Sequence, residues 1–171
     1  YMKGVRASEE GTIEEAIVKI AKAANLNPAV DLYWRDLAQL FLAKANQIAS
    51  DQSLPADTRG QQTGVVVNNT IEAAKRAVER NPANVANWNV QGFIYRSLIP
   101  MQGAAEFAMR SYEKSQALEP ASPFPWTELG RTKILQAQIT KDQQLFEEAL
   151  VNLYKAVDLK PDYAPAHYLI A

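Results

Sequence analysis

The sequence has no cysteine, which excludes a disulfide framework and thiolate metal ligation but leaves the compartment open. An excess of one charge is missing too. Its 18 basic and 19 acidic residues give a formal charge of -1 and form no run of one sign, so no nucleic-acid footprint is present. Long apolar runs are absent. A stretch such as Leu37 to Ala43 is short and interrupted by Gln39, so no segment could span a membrane. No signal-peptide pattern is present, which a cut fragment would lack in any case, and there is no glycine-rich loop of the kind that cradles phosphate and no nucleophile set beside a base. The 47% of hydrophobic residues is nevertheless enough for a continuous core.

What the sequence does contain is a repeat. Proline followed six residues later by tryptophan occurs as Pro28/Trp34, Pro82/Trp88 and Pro120/Trp126, and Pro161 has His167 at the same offset. Small or apolar residues stand five, eight and twelve positions before each proline: Ala23, Ile20 and Ala16, then Ala77, Ala74 and Thr70. Ser115, Tyr112 and Ala108 follow, then Ala156, Leu153 and Ala149. Steps of three and four trace one face of a helix. Beyond the aromatic, Leu37-Ala38, Gln91-Gly92, Leu129-Gly130 and Ile170-Ala171 fall at helical spacing again, with Phe41 and Tyr95 a turn further on. Each repeat is therefore two helices, A and B, with a proline between repeats.

This pattern resembles the tetratricopeptide repeat, a helix-turn-helix of about 34 residues. The resemblance covers nearly the whole chain and implies an all-α fold, a right-handed α-solenoid of antiparallel helix pairs. Counted from three residues after each proline, the pattern divides the chain into a partial repeat at 1–30 and repeats at 31–84, 85–122 and 123–163. A truncated repeat covers 164–171. The complete repeats exceed the family period by roughly 20, 4 and 7 residues. Both helical faces stay in register with the prolines, so the extra residues lengthen the A-to-B hairpin tips, the longest insertion falling at about 50–64. There helix B is expected to start between Pro55 and Val65, because Gly60 and Gly64 weaken any helix that contains them. Ile99 to Gly103 and Thr140 to Gln143 read as shorter turns, with Thr140 or Asp142 as a helix cap. Gly4 falls at the small site of a first helix and Gly11 at its turn, as expected of a chain cut from a longer array.

A single hairpin cannot bury both its helices, so the core runs along the stack, and the tryptophans are expected to sit in that seam. On this basis Trp88→Ala should cost about 3–5 kcal/mol. Gly92 and Gly130 stand where a side chain would push the neighbouring helix away.

Catalysis has little to stand on, and no cofactor or metal site is expected. His167 takes the place of a packing aromatic. Glu9-Glu10, Glu14-Glu15 and Glu147-Glu148 are adjacent pairs whose side chains diverge on a helix, as solvated faces do. The sequon Asn68-Asn69-Thr70 lies within a predicted helix, a poor setting for glycosylation.

What remains is the groove that the tetratricopeptide family lines with helix A. Carried over residue by residue, it comprises Leu32, Arg35, Gln39 and Leu42, then Ala86, Asn89, Phe93 and Arg96, then Phe124, Thr127, Arg131 and Ile134. The peptide-facing set drawn from these is Leu32, Arg35, Gln39, Asn89, Phe93, Arg96, Phe124, Thr127 and Arg131. Arginines and phenylalanines suit a peptide with acidic and apolar side chains. The family's chaperone-tail clamp does not fit, since Val90 replaces its asparagine and Phe124 and Glu128 replace its last two basic residues. The resemblance thus implies a non-catalytic protein–protein interaction scaffold with a protein or peptide partner.

The alternative is a structural segment that self-assembles into homo-oligomers through exposed ends, including Tyr163, Tyr168 and Leu169. A narrower resemblance rests on Tyr33-Trp34-Arg35-Asp36-Leu37-Ala38, Trp88-Asn89, Gly92 to Tyr95-Arg96, Gly103-Ala104, Ser111-Tyr112, Leu118-Glu119-Pro120 and Leu129-Gly130-Arg131. These look like the soluble repeat tails of bacterial O-antigen ligase or polymerase-type membrane proteins. That would place the chain on the extracytoplasmic side of a bacterial membrane; without it, a cytoplasmic location is expected.

Overall fold

A computed structural model describes residues 12–171. Gly4, Gly11 and the Glu9-Glu10 pair lie outside the described residues. The fold is an all-α solenoid of antiparallel helix pairs, and no strand occurs among the described residues. The helices are α1 (Ile13–Leu26), α2 (Asp31–Ser50), α3 (Ala56–Arg80), α4 (Val85–Ser97), α5 (Ala104–Leu118), α6 (Pro123–Thr140), α7 (Gln143–Leu159) and α8 (Ala164–Ile170). The chain forms two compact units, one ending at Val90 and the other running from Gln91 to Ala171, so the division falls within α4.

In the first unit α2 packs on both α1 and α3. Trp34, Leu37, Ala38, Leu42, Ala45 and Ile48 form the buried stripe of α2, a helical spacing that points one face inward. Opposite it lie Ala16, Ile20 and Ala24 of α1 and Val67, Thr70, Ala73, Ala74, Ala77 and Val78 of α3. Helix α3 begins at Ala56, directly after Pro55 and at the early limit of the expected range, so Gly60 and Gly64 are helical. Thr70 of the sequon is buried in the same helix and donates to the Val66 carbonyl at 2.9 Å.

In the second unit α6 packs on α5 and α7, and α8 on α7. Of the small and apolar residues placed before the prolines, Ala23 alone is half-buried, its neighbour Ala24 taking the inward place; the others are buried. Alanine and serine at these sites let helices approach closely, and two glycines let them approach further. A methyl group added at Gly92 would lie 2.8 Å from the Tyr112 ring, and one at Gly130 would lie 2.8 Å from Leu153. Ring stacking of Tyr95 on Phe107, with centroids 5.0 Å apart, adds to the α4–α5 contact. Asp142 caps α7 by accepting from the Leu145 amide at 3.0 Å, while the Thr140 hydroxyl turns back to the Gln136 carbonyl.

The turns between repeats share one backbone closure. The residue before the proline (Asn27, Asn81, Glu119, Lys160) donates its amide to the carbonyl of the small residue four positions earlier. Proline follows, unable to donate or to continue the helix. Its carbonyl then accepts a ring N–H from the residue six on: Trp34 to Pro28 at 2.9 Å and Trp88 to Pro82 at 2.7 Å. His167 reproduces the contact, with its Nε2 2.7 Å from the Pro161 carbonyl. Trp126 does not, and its buried Nε1 has no partner. The tryptophans also differ in burial. Trp34 is buried beneath the Arg76 guanidinium, whereas Trp88 and Trp126 are half-buried, so packing alone does not account for them as expected.

Urea titration of single variants checks this packing. Gly92→Ala and Gly130→Ala should each destabilise by about 1–3 kcal/mol through overpacking. Gly60→Ala and Gly64→Ala, where nothing lies within 4 Å of an added methyl, should each stabilise by about 0.4–1 kcal/mol; the opposite sign at either pair would contradict this packing. Among the rings, Trp34→Ala carries the cost of about 3–5 kcal/mol. Trp88→Phe should cost about 0.5–1.5 kcal/mol more than Trp126→Phe, since only the former gives up a hydrogen bond.

Candidate functional site: the helix A faces

The candidate residues lie on α2, α4 and α6 and are divided between the two units. In the first, Leu32, Arg35 and Asn89 are half-buried and Gln39 is exposed. One polar group there that joins several others is Asp31, at the start of α2, which the sequence pattern did not single out. Its carboxylate accepts from Asn84 Nδ2 at 2.8 Å and Asn87 Nδ2 at 2.7 Å. Asn87 is buried, and the same amide nitrogen reaches the carbonyls of Ala77 at 3.0 Å and Asn81 at 3.2 Å. This amide joins the end of α3 to the start of α2. Burial on its own would raise the Asp31 pKa; the amide hydrogens of Asn87 and Asn84, the Leu32 backbone and the Arg35 charge outweigh it and hold the carboxyl below the usual range.

In the second unit the central group is Glu128, which the sequence offered only as a departure from the family's clamp. Its carboxylate pairs with Arg96 Nη1 at 2.9 Å and with Arg131 Nε at 3.3 Å. The link brings together α4 and α6. Phe124, Glu128 and Arg131 are spaced by four and three on α6, and Phe93 and Arg96 by three on α4, so each set shares a face. Phe93 and Phe124 are exposed, at 44% and 39%, and the Arg96 guanidinium lies 5.5 Å from the centre of the Phe93 ring. Thr127 is buried, and its hydroxyl donates to the Pro123 carbonyl within its own helix, so it offers no group to this surface. Tyr112 lies close to the cluster, and burial raises its phenol well above the ordinary value although the Arg96 charge opposes it. The same cause raises Tyr163.

Elsewhere the paired acids are engaged at the surface. Glu14 bonds to Lys44, Glu15 lies 3.7 Å from Lys19, and Glu148 lies 2.9 Å from Lys133. No group of three or more metal-ligating side chains is placed to hold an ion among the described residues, and no described helix is long and apolar enough to cross a membrane.

The fold is that of tetratricopeptide-repeat proteins. It is similar to TTC0263, a thermophilic TPR protein of Thermus thermophilus, with a TM-score of 0.70 and 18% identity over 96% of this chain and 74% of that one. A structure of MamA, described as MSR-1 C2, superposes with a TM-score of 0.64 and 14% identity over 94% of this chain and 75% of that one. No protein-family model matches the chain, and no curated protein matches it.

The depressed pKa of Asp31 has a definite sign. Its contribution to stability is complete above the unfolded carboxyl value of about 3.9 and is lost as pH falls through the lower folded value. The stability difference between the protein and Asp31→Asn should therefore shrink as pH is lowered from about 6 to about 3. A difference that stays constant across that range in urea titrations would rule out this role for the carboxylate.

Proposed function

We propose that this chain is a non-catalytic protein–protein interaction scaffold whose helix A faces bind a peptide or a segment of a partner protein. The observation that carries the reading is the surface of the second unit, where Phe93 and Phe124 stay exposed beside the Arg96–Glu128–Arg131 cluster. Aromatic rings and arginine are the residue types that most often anchor a partner, and leaving two phenylalanines in water on one face is unfavourable unless something covers them. In the first unit Arg35 and Gln39 supply the matching polar positions on α2. The division into repeats at 31–84, 85–122 and 123–163 belongs to the same reading.

A second reading, self-assembly, is favoured by a different observation. Val151, Tyr154 and Tyr168 are exposed at 67%, 55% and 80%, all near the end of the second unit.

The two readings separate in one experiment. Variants Arg35→Ala/Gln39→Ala and Phe93→Ala/Phe124→Ala, matched to the parent in thermal stability, are used as baits beside it. A partner held by the parent and lost at least about tenfold with one variant supports the scaffold, at a cost of about 1.4 kcal/mol. Identical retention by all three, together with concentration-dependent oligomers abolished by Tyr154→Ser/Tyr168→Ser in sedimentation, supports self-assembly instead.

A further inference from the structure

We infer that the α4–α6 face of the second unit recognises an acidic peptide, taking one side-chain carboxylate on Arg131 with an adjacent apolar side chain against Phe93 and Phe124. The inference rests on the scaffold reading above and names the chemistry of its ligand.

Arg96 and Arg131 share a single carboxylate, that of Glu128, so the cluster carries one positive charge more than it neutralises. Tyr112 and Tyr163 beside it add none, since a phenol is neutral at ordinary pH and burial raises both further. The two arginines are not equivalent. Arg96 is mostly enclosed, at 15% exposure, pairs with Glu128 and lies over the Phe93 ring, and is thereby held in place. Arg131 is 32% exposed and uses only its Nε toward Glu128. Its two Nη groups donate to no described residue, which leaves the outer edge of the planar fork for another acceptor. That edge matches a carboxylate with two parallel hydrogen bonds, and the Nε contact fixes its orientation beforehand.

The surplus of one charge also selects among anions. A carboxylate brings the cluster to neutrality, whereas a phosphoryl group, carrying close to two negative charges, would leave it negative beside the Glu128 carboxylate. The exposed rings of Phe93 and Phe124 then favour an aliphatic or aromatic residue next to the acid. Glu128 acts here as a specificity residue, since it removes one of the two positive charges that a phosphopeptide would need.

The test titrates the nitrogen-15-labelled protein, with its arginine Nε–H signals assigned, against three amidated peptides. One is an apolar peptide with a central glutamate, the second has glutamine in its place, and the third has phosphoserine. The expected result is that the glutamate peptide shifts the Arg131 Nε–H and the Phe93 and Phe124 amides, and binds about tenfold more tightly than the glutamine peptide and more tightly than the phosphopeptide. Arg131→Gln should bring the first ratio close to one without altering glutamine-peptide affinity, and Arg131→Lys should restore only part of it. Phe93→Ala should weaken both peptides alike. Equal binding of the glutamate and glutamine peptides would overturn the carboxylate inference while leaving the peptide scaffold standing. Tighter phosphopeptide binding would overturn the charge argument in particular. Failure of all three peptides to perturb this face would overturn the inference and the scaffold reading of the second unit together.

Discussion

The hydrogen bond from the amide before each proline to the carbonyl of the small residue four positions back is the contact on which every turn from one repeat to the next depends, and at three of the four turns a ring nitrogen holds the proline's own carbonyl as well. A helix leaves its last carbonyls unpaired, and a proline that follows cannot continue the ladder, so the direction of the chain would otherwise be only loosely set. Here the amide before each proline closes the old helix on a small residue's carbonyl, and the indole of Trp34 or Trp88 holds the proline's own carbonyl from within the next helix. Six residues is the distance at which a helix just begun can reach back with a long, flat side chain. His167 meets the same requirement with an imidazole nitrogen, although it packs much less surface. Polar reach, and not only bulk, is thus part of what the aromatic position supplies.

Given those turns, the interior is set by how closely helices can lie. Alanines, Ser115 and the two glycines bring backbones near enough for Tyr112 and Leu153 to fill the space over Gly92 and Gly130. Little room is left for polar groups, and most of those that are buried find partners close by. The hydroxyls of Thr70, Thr127 and Thr132 bond to the carbonyl four residues back, which satisfies them without help from another helix. Asn87 and Glu128 are different, since they spend their polar atoms between helices. A buried ion pair adds little net stability, because desolvation offsets the attraction, but it does fix which side chains face each other. In the second unit that sets Arg96 of α4 against Glu128 and Arg131 of α6.

Much of the fold was legible because a helix imposes its period on the sequence. The spacing of Ala16, Ile20, Ala74, Leu153 and their counterparts identified the buried faces, and only Ala23 ceded its place to a neighbour. Gly92 and Gly130 could be read as close-approach sites because they interrupt otherwise favourable helices. The start of helix α3 was less closely placed, since its glycines argue against a helix locally whereas the helix runs unbroken from Ala56 through both of them. The burial of the tryptophans was also overestimated for Trp88 and Trp126. Position in a repeat does not tell how much of a ring its neighbours cover.

The sequence by itself determined the helix pairs, their turns and their apolar faces, because these depend on residues within a few positions of one another. It could name Arg96 and Arg131 as charged positions on helix A. Only the tertiary structure decided that both turn to Glu128, that Thr127 points inward, and that Asn84 and Asn87 reach back across the chain to Asp31. Those contacts depend on which helix lies against which and at what rotation, and no local spacing encodes that.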